Sequence, residues 1–250
     1  MTNEPTISPS SDAVAELAPT GVLRAGINLG NFLLVTGRTP EGDPDGVAPD
    51  MARAIAACLG VPVTLIPFES PGDLADAVGK DVWDIGLIGA EPQRAETIEF
   101  TDAYVEIEAT YLVPPGSPIS TIADVDRAGV RIVVTGRSAY GLWLDRNIRH
   151  ATVIHSGRGD AAFRQLLAEG LEAMAGLRPG LIEDAQKLPG SRVLDGQFAT
   201  VQQAVGIARG NASGAAFLRS FVEEAKAGGF VASLIARHGV EGRLAVAPGV

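Results

Sequence analysis

Cysteine is almost absent. The 250-residue chain has one, Cys58, which excludes an intramolecular disulfide and any metal site built on several thiolates. Within the apolar stretch from Met51 to Leu59 it reads as a small buried hydrophobe. Histidine is scarce as well: His150, His155 and His238 lack the spacing of zinc ligands. There is no Walker loop and no dinucleotide glycine fingerprint. The stretch Gly136-Arg137-Ser138-Ala139-Tyr140-Gly141 is one residue too long for a Gly-x-Ser-x-Gly elbow. No cofactor and no metal are therefore expected. No apolar run of about 18 residues occurs, so no membrane insertion is expected. Basic runs are missing too, and the net charge is −10; this argues against nucleic acid and anionic membrane surfaces as partners. A small anion is still admissible, because a local pair of arginines can hold one inside an acidic protein. The N-terminus has no basic stretch followed by an apolar one, so no secretory signal is expected there. Residues 1–19 are expected to be a disordered segment, the first dozen being rich in Ser, Pro and Thr.

Glycine is abundant, with 30 residues, while aromatics make up 5% and apolar residues 46%. That balance suits many short turns between strands and helices. Strands are predicted at 22–27, 61–67 and 83–88. Helices are predicted at 49–59 and after Ser70, which is followed by Pro71 in the first helical turn. This β-α-β-α-β order implies a parallel sheet with helices on its faces. Residues 104–113 alternate apolar and polar as one long half-buried strand. A rigid break follows at Pro114-Pro115-Gly116-Ser117-Pro118. A second α/β series is predicted from 130 to 194, then a returning strand at 200–207. A helix capped by Asn211 and a last helix at 231–238 complete the chain. The expected fold class is α/β, two lobes of mixed sheet flanked by helices and joined by two strands acting as a hinge. Lobe one is expected at 20–111 and 204–250, lobe two at 112–203, and the chain is expected to be a monomer.

Four stretches, in order, resemble the bacterial extracellular solute-binding proteins of family 3, of the type 2 periplasmic binding fold. They are Gly46-Val47-Ala48-Pro49-Asp50; Asp84 to Arg94 continuing into Phe100-Thr101-Asp102-Ala103-Tyr104; Gly129 to Ser138; and Glu169 to Ala173. The resemblance spans about residues 20–240. It implies a protein that closes a cleft around a small carboxylate-bearing metabolite, amino-acid-like or organic acid, for ABC transport. It also implies that Arg94, following Gly89, forks onto the solute carboxylate, in keeping with guanidinium geometry. Asn28, Asn31 and Phe32 follow the first strand, where α/β sheets bind ligands; turn chemistry for the asparagines and core packing for the phenylalanine are the plainer readings. Arg137 and Ser138 open a helix whose N–H groups suit an anion, with simple capping as the alternative. Tyr140, with Trp143, either covers the solute or packs in the core.

The pattern departs from the amino-acid binders at one place. The position at which they carry an aspartate for the α-ammonium aligns with Leu177, and Arg178 follows. A small anionic metabolite spanning Arg94 and Arg178 would suit that change, and Glu108 or Glu106 is the candidate replacement acid. The second functional class is a lyase of the cyclohexadienyl-dehydratase kind on the same fold, which requires an acid or base near the substrate. Glu106, Glu108, Glu172 and His155 are the candidates, none in a recognisable catalytic motif. An ABC permease is the partner implied by the family, with a periplasmic location; the N-terminal sequence leaves a cytoplasmic one open.

Overall fold

The computed structural model describes residues 4–249. The chain divides into two compact units. Unit 1 runs through Glu106 and resumes at Gln202; unit 2 is Ile107–Val201. The sequence reading set these crossings at 111/112 and 203/204. The chain passes between units inside two of its strands rather than at the proline-rich break.

Unit 1 begins with helix α1 (Ser11–Leu17) and strand β1 (Leu23–Asn28). A two-strand ribbon, β2 (Gly37–Arg38) with β3 (Pro44–Asp45), leads into α2 (Val47–Leu59). Then come β4 (Val63–Phe68), α3 (Pro71–Asp76), β5 (Ile85–Ala90), β6 (Ile98–Phe100) and the start of β7 (Val105–Val113). Unit 2 continues β7 and adds β8 (Arg131–Thr135), α4 (Ala139–Asn147), β9 (Thr152–Ser156) and α5 (Ala161–Glu169). After them come β10 (Ala173–Leu177), α6 (Arg178–Lys187) and β11 (Arg192–Val193). Strand β12 (Ala199–Ala208) returns the chain to unit 1, which ends with α7 (Ala212–Ala227), α8 (Phe230–Arg237) and β13 (Ala245–Val246).

In unit 1, β1 pairs in parallel with both β4 and β5, and β12 runs antiparallel to β5. The apolar residues of β1, Leu23, Ala25 and Ile27, are fully buried. One face of this sheet is covered by α3. There Leu74, Ala77, Trp83, Ile88 and Ile98 form one cluster, and the Trp83 indole N–H donates to the Leu74 carbonyl at 3.0 Å. Gly86 leaves room for that packing: a Cβ there would come within 2.8 Å of Leu74 Cδ2, and the leucine would have to shift. Gly46, before α2, has a stronger requirement. Its φ is +149° and a Cβ there would lie 2.3 Å from the Leu34 carbonyl oxygen, so only glycine fits.

In unit 2, β8 lies between β9 and β10, parallel to both, and β7 closes the sheet antiparallel to β10. One face carries Tyr111, Ile132, Val134 and Leu144, the other Leu112, Val133, Leu166 and Leu181. Alternate residues of β7 and β8 thus feed opposite faces, the period of a strand buried on both sides.

Four sequence expectations need correction. Residues 4–19 are not a disordered stretch: Ser10 caps α1 by accepting from Ala13 N at 3.1 Å, and Ala13 and Leu17 are buried. The helix packs on α7, where Glu16 accepts from Gly214 N at 2.7 Å; the spacing of Ala13 and Leu17 was its only signal. Residues 1–3 lie outside the described residues. Cys58 is half-buried rather than buried, and its thiol donates to the Pro5 carbonyl; burial, with Glu224 and Glu4 nearby, pushes that thiol's pKa up. Asn211 makes no side-chain cap and instead donates to the Ala208 carbonyl at 2.9 Å. The strand expected at 171–175 begins two residues later, because Leu171 turns into the core and Glu172 pairs with Arg131. No helix of the described residues is long and apolar enough to cross a membrane.

Candidate functional site

In unit 1 the parallel pairing of β1 and β5 brings their carboxyl ends to one edge, the usual ligand edge of such sheets. Asn28 ends β1 there, and its Oδ1 accepts from Gly30 N at 3.0 Å. Asn31 repeats the device, accepting from Leu33 N at 3.2 Å. Both asparagines are buried, so both carry out the turn chemistry that residue type favours. The turn sends Leu33 and Leu34 into the core and leaves Phe32 42% exposed. The ring is therefore a surface group, not a core one. The Arg243 guanidinium lies over it, 5.5 Å from the centroid.

Beyond β5, Arg94 opens a single 3-10 turn (Arg94–Glu96) and is 6% exposed. Its Nη1 donates to the Gly89 carbonyl at 2.7 Å. A buried guanidinium fixed to the strand end five residues earlier is not an ordinary surface arginine. Glu91 was passed over in the sequence, yet it is buried beside this turn and accepts from Gln93 N at 2.9 Å. Its signal is an acid directly before Pro92, one residue past the end of β5. Gln203 also belongs here. It stands opposite Gly89 in the β12–β5 ladder and is 4% exposed. Its neighbour Gln202 donates to Glu106 Oε1 at 2.9 Å.

Unit 2 has a corresponding edge, where β8 and β10 end in parallel register, Val134 opposite Ala175. Ser138 caps α4: its Oγ accepts from Gly141 N at 3.0 Å and donates to the Thr135 carbonyl at 2.7 Å. Arg137 before it has φ +61°, a left-handed conformation uncommon outside glycine. Tyr140 is half-buried and packs against the cluster of Tyr111 and Val134. Burial pushes its hydroxyl pKa up, against hydrogen bonds involving Thr135 and Ser138 that pull it down.

Arg178 follows β10, and the antiparallel register of Leu177 with Ala109 brings Glu108 beside it. Its Nε donates to Glu108, Nη1 to the Leu194 carbonyl at 3.2 Å, and Nη2 to the Gly196 carbonyl. All three nitrogens thus have internal partners, and the two charges offset one another. The remaining acids are similarly engaged. Glu172 holds Arg131, whose hydrogen bonds lower the glutamate's pKa. His155 meets Asp145 at 3.0 Å, both largely exposed.

Among the described residues, one group of potential metal ligands converges: Asp45, Asp50 and His238, within 4.8 Å of one another. Arg53 and Arg237 donate to the same Asp50 carboxylate at 2.9 and 3.1 Å. That is the donor set of an ion-pair hub, not of a cation site.

Comparison with known proteins gives a consistent result for the fold. A mutant of ArgBP from T. maritima superposes with a TM-score of 0.73 at 18% identity, covering 92% of this chain and 100% of that one. An ancestral amino acid-binding protein, a precursor of cyclohexadienyl dehydratase, superposes with a TM-score of 0.71 at 21% identity, covering 90% and 98%. An amino acid ABC transporter substrate-binding protein from Streptococcus pneumoniae, bound to L-arginine, gives 0.72 at 16% identity, covering 89% and 96%. At such identities these likenesses concern the fold alone. The comparison with curated protein sequences returns no match. The family model of the bacterial extracellular solute-binding proteins, family 3, matches residues 31–241, and the chain belongs to that family.

Proposed function

We propose that this protein is the solute-binding component of an ABC importer for an amino acid or a closely related carboxylate. The observation that carries the reading is the placement of Arg94. It is a buried guanidinium held by the Gly89 carbonyl at the carboxyl edge of the unit 1 sheet, the edge at which β1 also ends, at Asn28. Guanidinium geometry matches a carboxylate bidentately, and an orientation set beforehand reduces the entropy lost on binding. Several structural neighbours are amino-acid-binding proteins, four of them with arginine or lysine bound, which supports an amino acid as the solute class. An importer role would place the protein outside the cytoplasmic membrane.

The structure weakens the argument for an organic acid without an amino group. That argument set Arg178 as a second anion anchor, but Arg178 is matched by Glu108 and two carbonyls. A binding protein is also better supported than a lyase. The groups the sequence offered for acid–base work are tied to partners: Glu108 to Arg178, Glu106 to Gln202, Glu172 to Arg131 and His155 to Asp145.

The test is a thermal shift over a panel of amino acids, their des-amino analogues and cyclic acids such as prephenate. A solute at about 100 times its Kd stabilises a one-site protein by roughly 2.7 kcal/mol. Arg94→Ala is expected to abolish the shift while leaving the far-ultraviolet dichroism unchanged; an undiminished shift would remove Arg94 from the site. Consumption of a hit during incubation would favour the lyase.

A further inference from the structure

Strand β12 carries one residue out of keeping with its surroundings. Val205 and Ile207 stand opposite Leu87 and Ile85 of β5, and all four are buried. Alternate residues of a strand share a face, so the next position in this apolar row is Gln203. Its amide is as buried as they are, the residue being 4% exposed. Gln202, on the opposite face, has Glu106 as a partner. Gln203 is different: among the described residues nothing donates to its buried Oε1. A buried acceptor left unpaired costs stability, and an apolar side chain of similar shape would not.

Gln203 stands opposite Gly89, one residue before the end of β5, and a glycine sets no side chain against it. The carbonyl of the same glycine accepts from Arg94 Nη1 at 2.7 Å. The amide thus belongs to the strand end at which the solute carboxylate is read to bind. In an amino acid the ammonium nitrogen is one carbon away from that carboxylate. An amide oxygen accepts from an ammonium in a charge-assisted hydrogen bond. The acids Glu106, Glu108 and Glu172 are already tied to groups of the chain. We propose that Gln203 is a solute-binding residue: its Oε1 accepts from the α-ammonium group and so selects amino acids over des-amino acids. This rests on the reading of the unit 1 edge as the solute site.

The test is calorimetric titration of the full chain with L-arginine, L-glutamine and L-glutamate, each beside its des-amino analogue. The proteins are the native chain, Gln203→Met, Gln203→Glu and Arg94→Ala. The native chain is expected to bind the amino acid more tightly than its analogue. Gln203→Met should lower that ratio about tenfold, equivalent to about 1.4 kcal/mol. The free methionine variant should melt no lower than the native chain, because the unpaired oxygen is gone. Gln203→Glu keeps an acceptor and should hold the ratio. Gln203→Leu replaces the methionine variant if melting shows that the latter has lost its fold. A ratio unmoved in Gln203→Met, with binding still dependent on Arg94, overturns the inference alone, as does a native chain indifferent to the amino group. A lower melting point with that unmoved ratio would assign the amide to the interior, where a water could join it to the Tyr104 hydroxyl, also buried and without a partner among the described residues. A native chain that binds none of the six, with Arg94→Ala indistinguishable from it, overturns the solute reading itself and the inference with it.

Discussion

Arg24 is gripped by Asp84 at three points. The carboxylate accepts from the arginine's backbone N–H at 2.8 Å, from Nε at 3.0 Å and from Nη2 at 2.6 Å. Unit 2 repeats the device with Arg131 and Glu172, at 2.9, 2.9 and 2.8 Å. In both units the arginine lies at the start of a strand, and the acid immediately precedes or nearly precedes the parallel strand beside it. The clamp fixes the register of two parallel strands at the end opposite the candidate site, where no hairpin turn can do so.

The two clamps differ in burial, and so should their worth. The Asp84 side chain is 4% exposed, that of Glu172 35%. Asp84→Asn takes the buried counter-charge from an Arg24 head that is itself 22% exposed, and is expected to cost about 2 kcal/mol, between a surface and a fully buried pair. Glu172→Gln, whose partners are reached by water, should cost clearly less. Urea melts of both variants check the order; equal losses would show that burial does not set their strength.

Gly46→Ala should be among the most damaging single-methyl changes in the chain. The new Cβ would meet backbone, the Leu34 carbonyl at 2.3 Å and Val35 Cα at 2.8 Å, which cannot move aside as a side chain could. Alanine at φ +149° is strained as well. A loss of about 3 kcal/mol or more is expected. Gly42→Ala is the control, since its φ of +95° is also positive and its Cβ meets nothing within 4 Å. Denaturant midpoints of the pair separate steric clash from backbone strain.

Asp50 joins the start of α2 to the end of α8, accepting from Arg53, Arg237 and His238. Burial raises its carboxyl pKa, but the hydrogen bonds of His238 and Arg53 outweigh that and leave it below the ordinary value of 3.8. A carboxylate with a lowered folded pKa contributes stability that is complete above its unfolded value. That stability is lost as pH falls through the folded one. Melting temperature followed from about pH 6 to about pH 2 should drop less steeply in Asp50→Asn than in the native chain. The variant should be the less stable of the two near neutrality. Parallel curves would mean that Asp50 is not a source of the acid limb.

Arg178→Met is expected to lower stability without changing the solute preference of the site. It removes two donors to backbone carbonyls and leaves Glu108 without its partner. The double variant Arg178→Met, Glu108→Leu should recover part of the loss, because an unpaired charge is removed with its mate. Solute affinities that fall tenfold with the fold intact would instead return Arg178 to the ligand.

Much of this arrangement was written in local pattern. Ser70 and Ser138 sit before their helices and cap them as serine does. The apolar periodicity of β1, α2 and β5 located the sheet edge where Asn28 and Arg94 stand. What was not legible depends on register. Nothing local tells that Glu108 faces Arg178, which follows from one strand slipping neither way against another across 70 residues of sequence. Arg243 was invisible for the same reason: it reaches Phe32 from more than two hundred residues away. The α1 helix was missed because a seven-residue helix is held by packing against α7, and polar composition hid the two residues that do the packing.

The division of the chain has a consequence for synthesis. Unit 2 is one continuous stretch, Ile107–Val201, and every strand pair of its sheet is on hand once that stretch has left the ribosome. Unit 1 is different: its sheet waits for the part of β12 from Gln202 onward, and α1 waits for α7, both encoded after unit 2 is finished. The half that is made first is therefore the half that is completed last. During that interval its exposed strand β5 is the segment most in need of shielding from other chains.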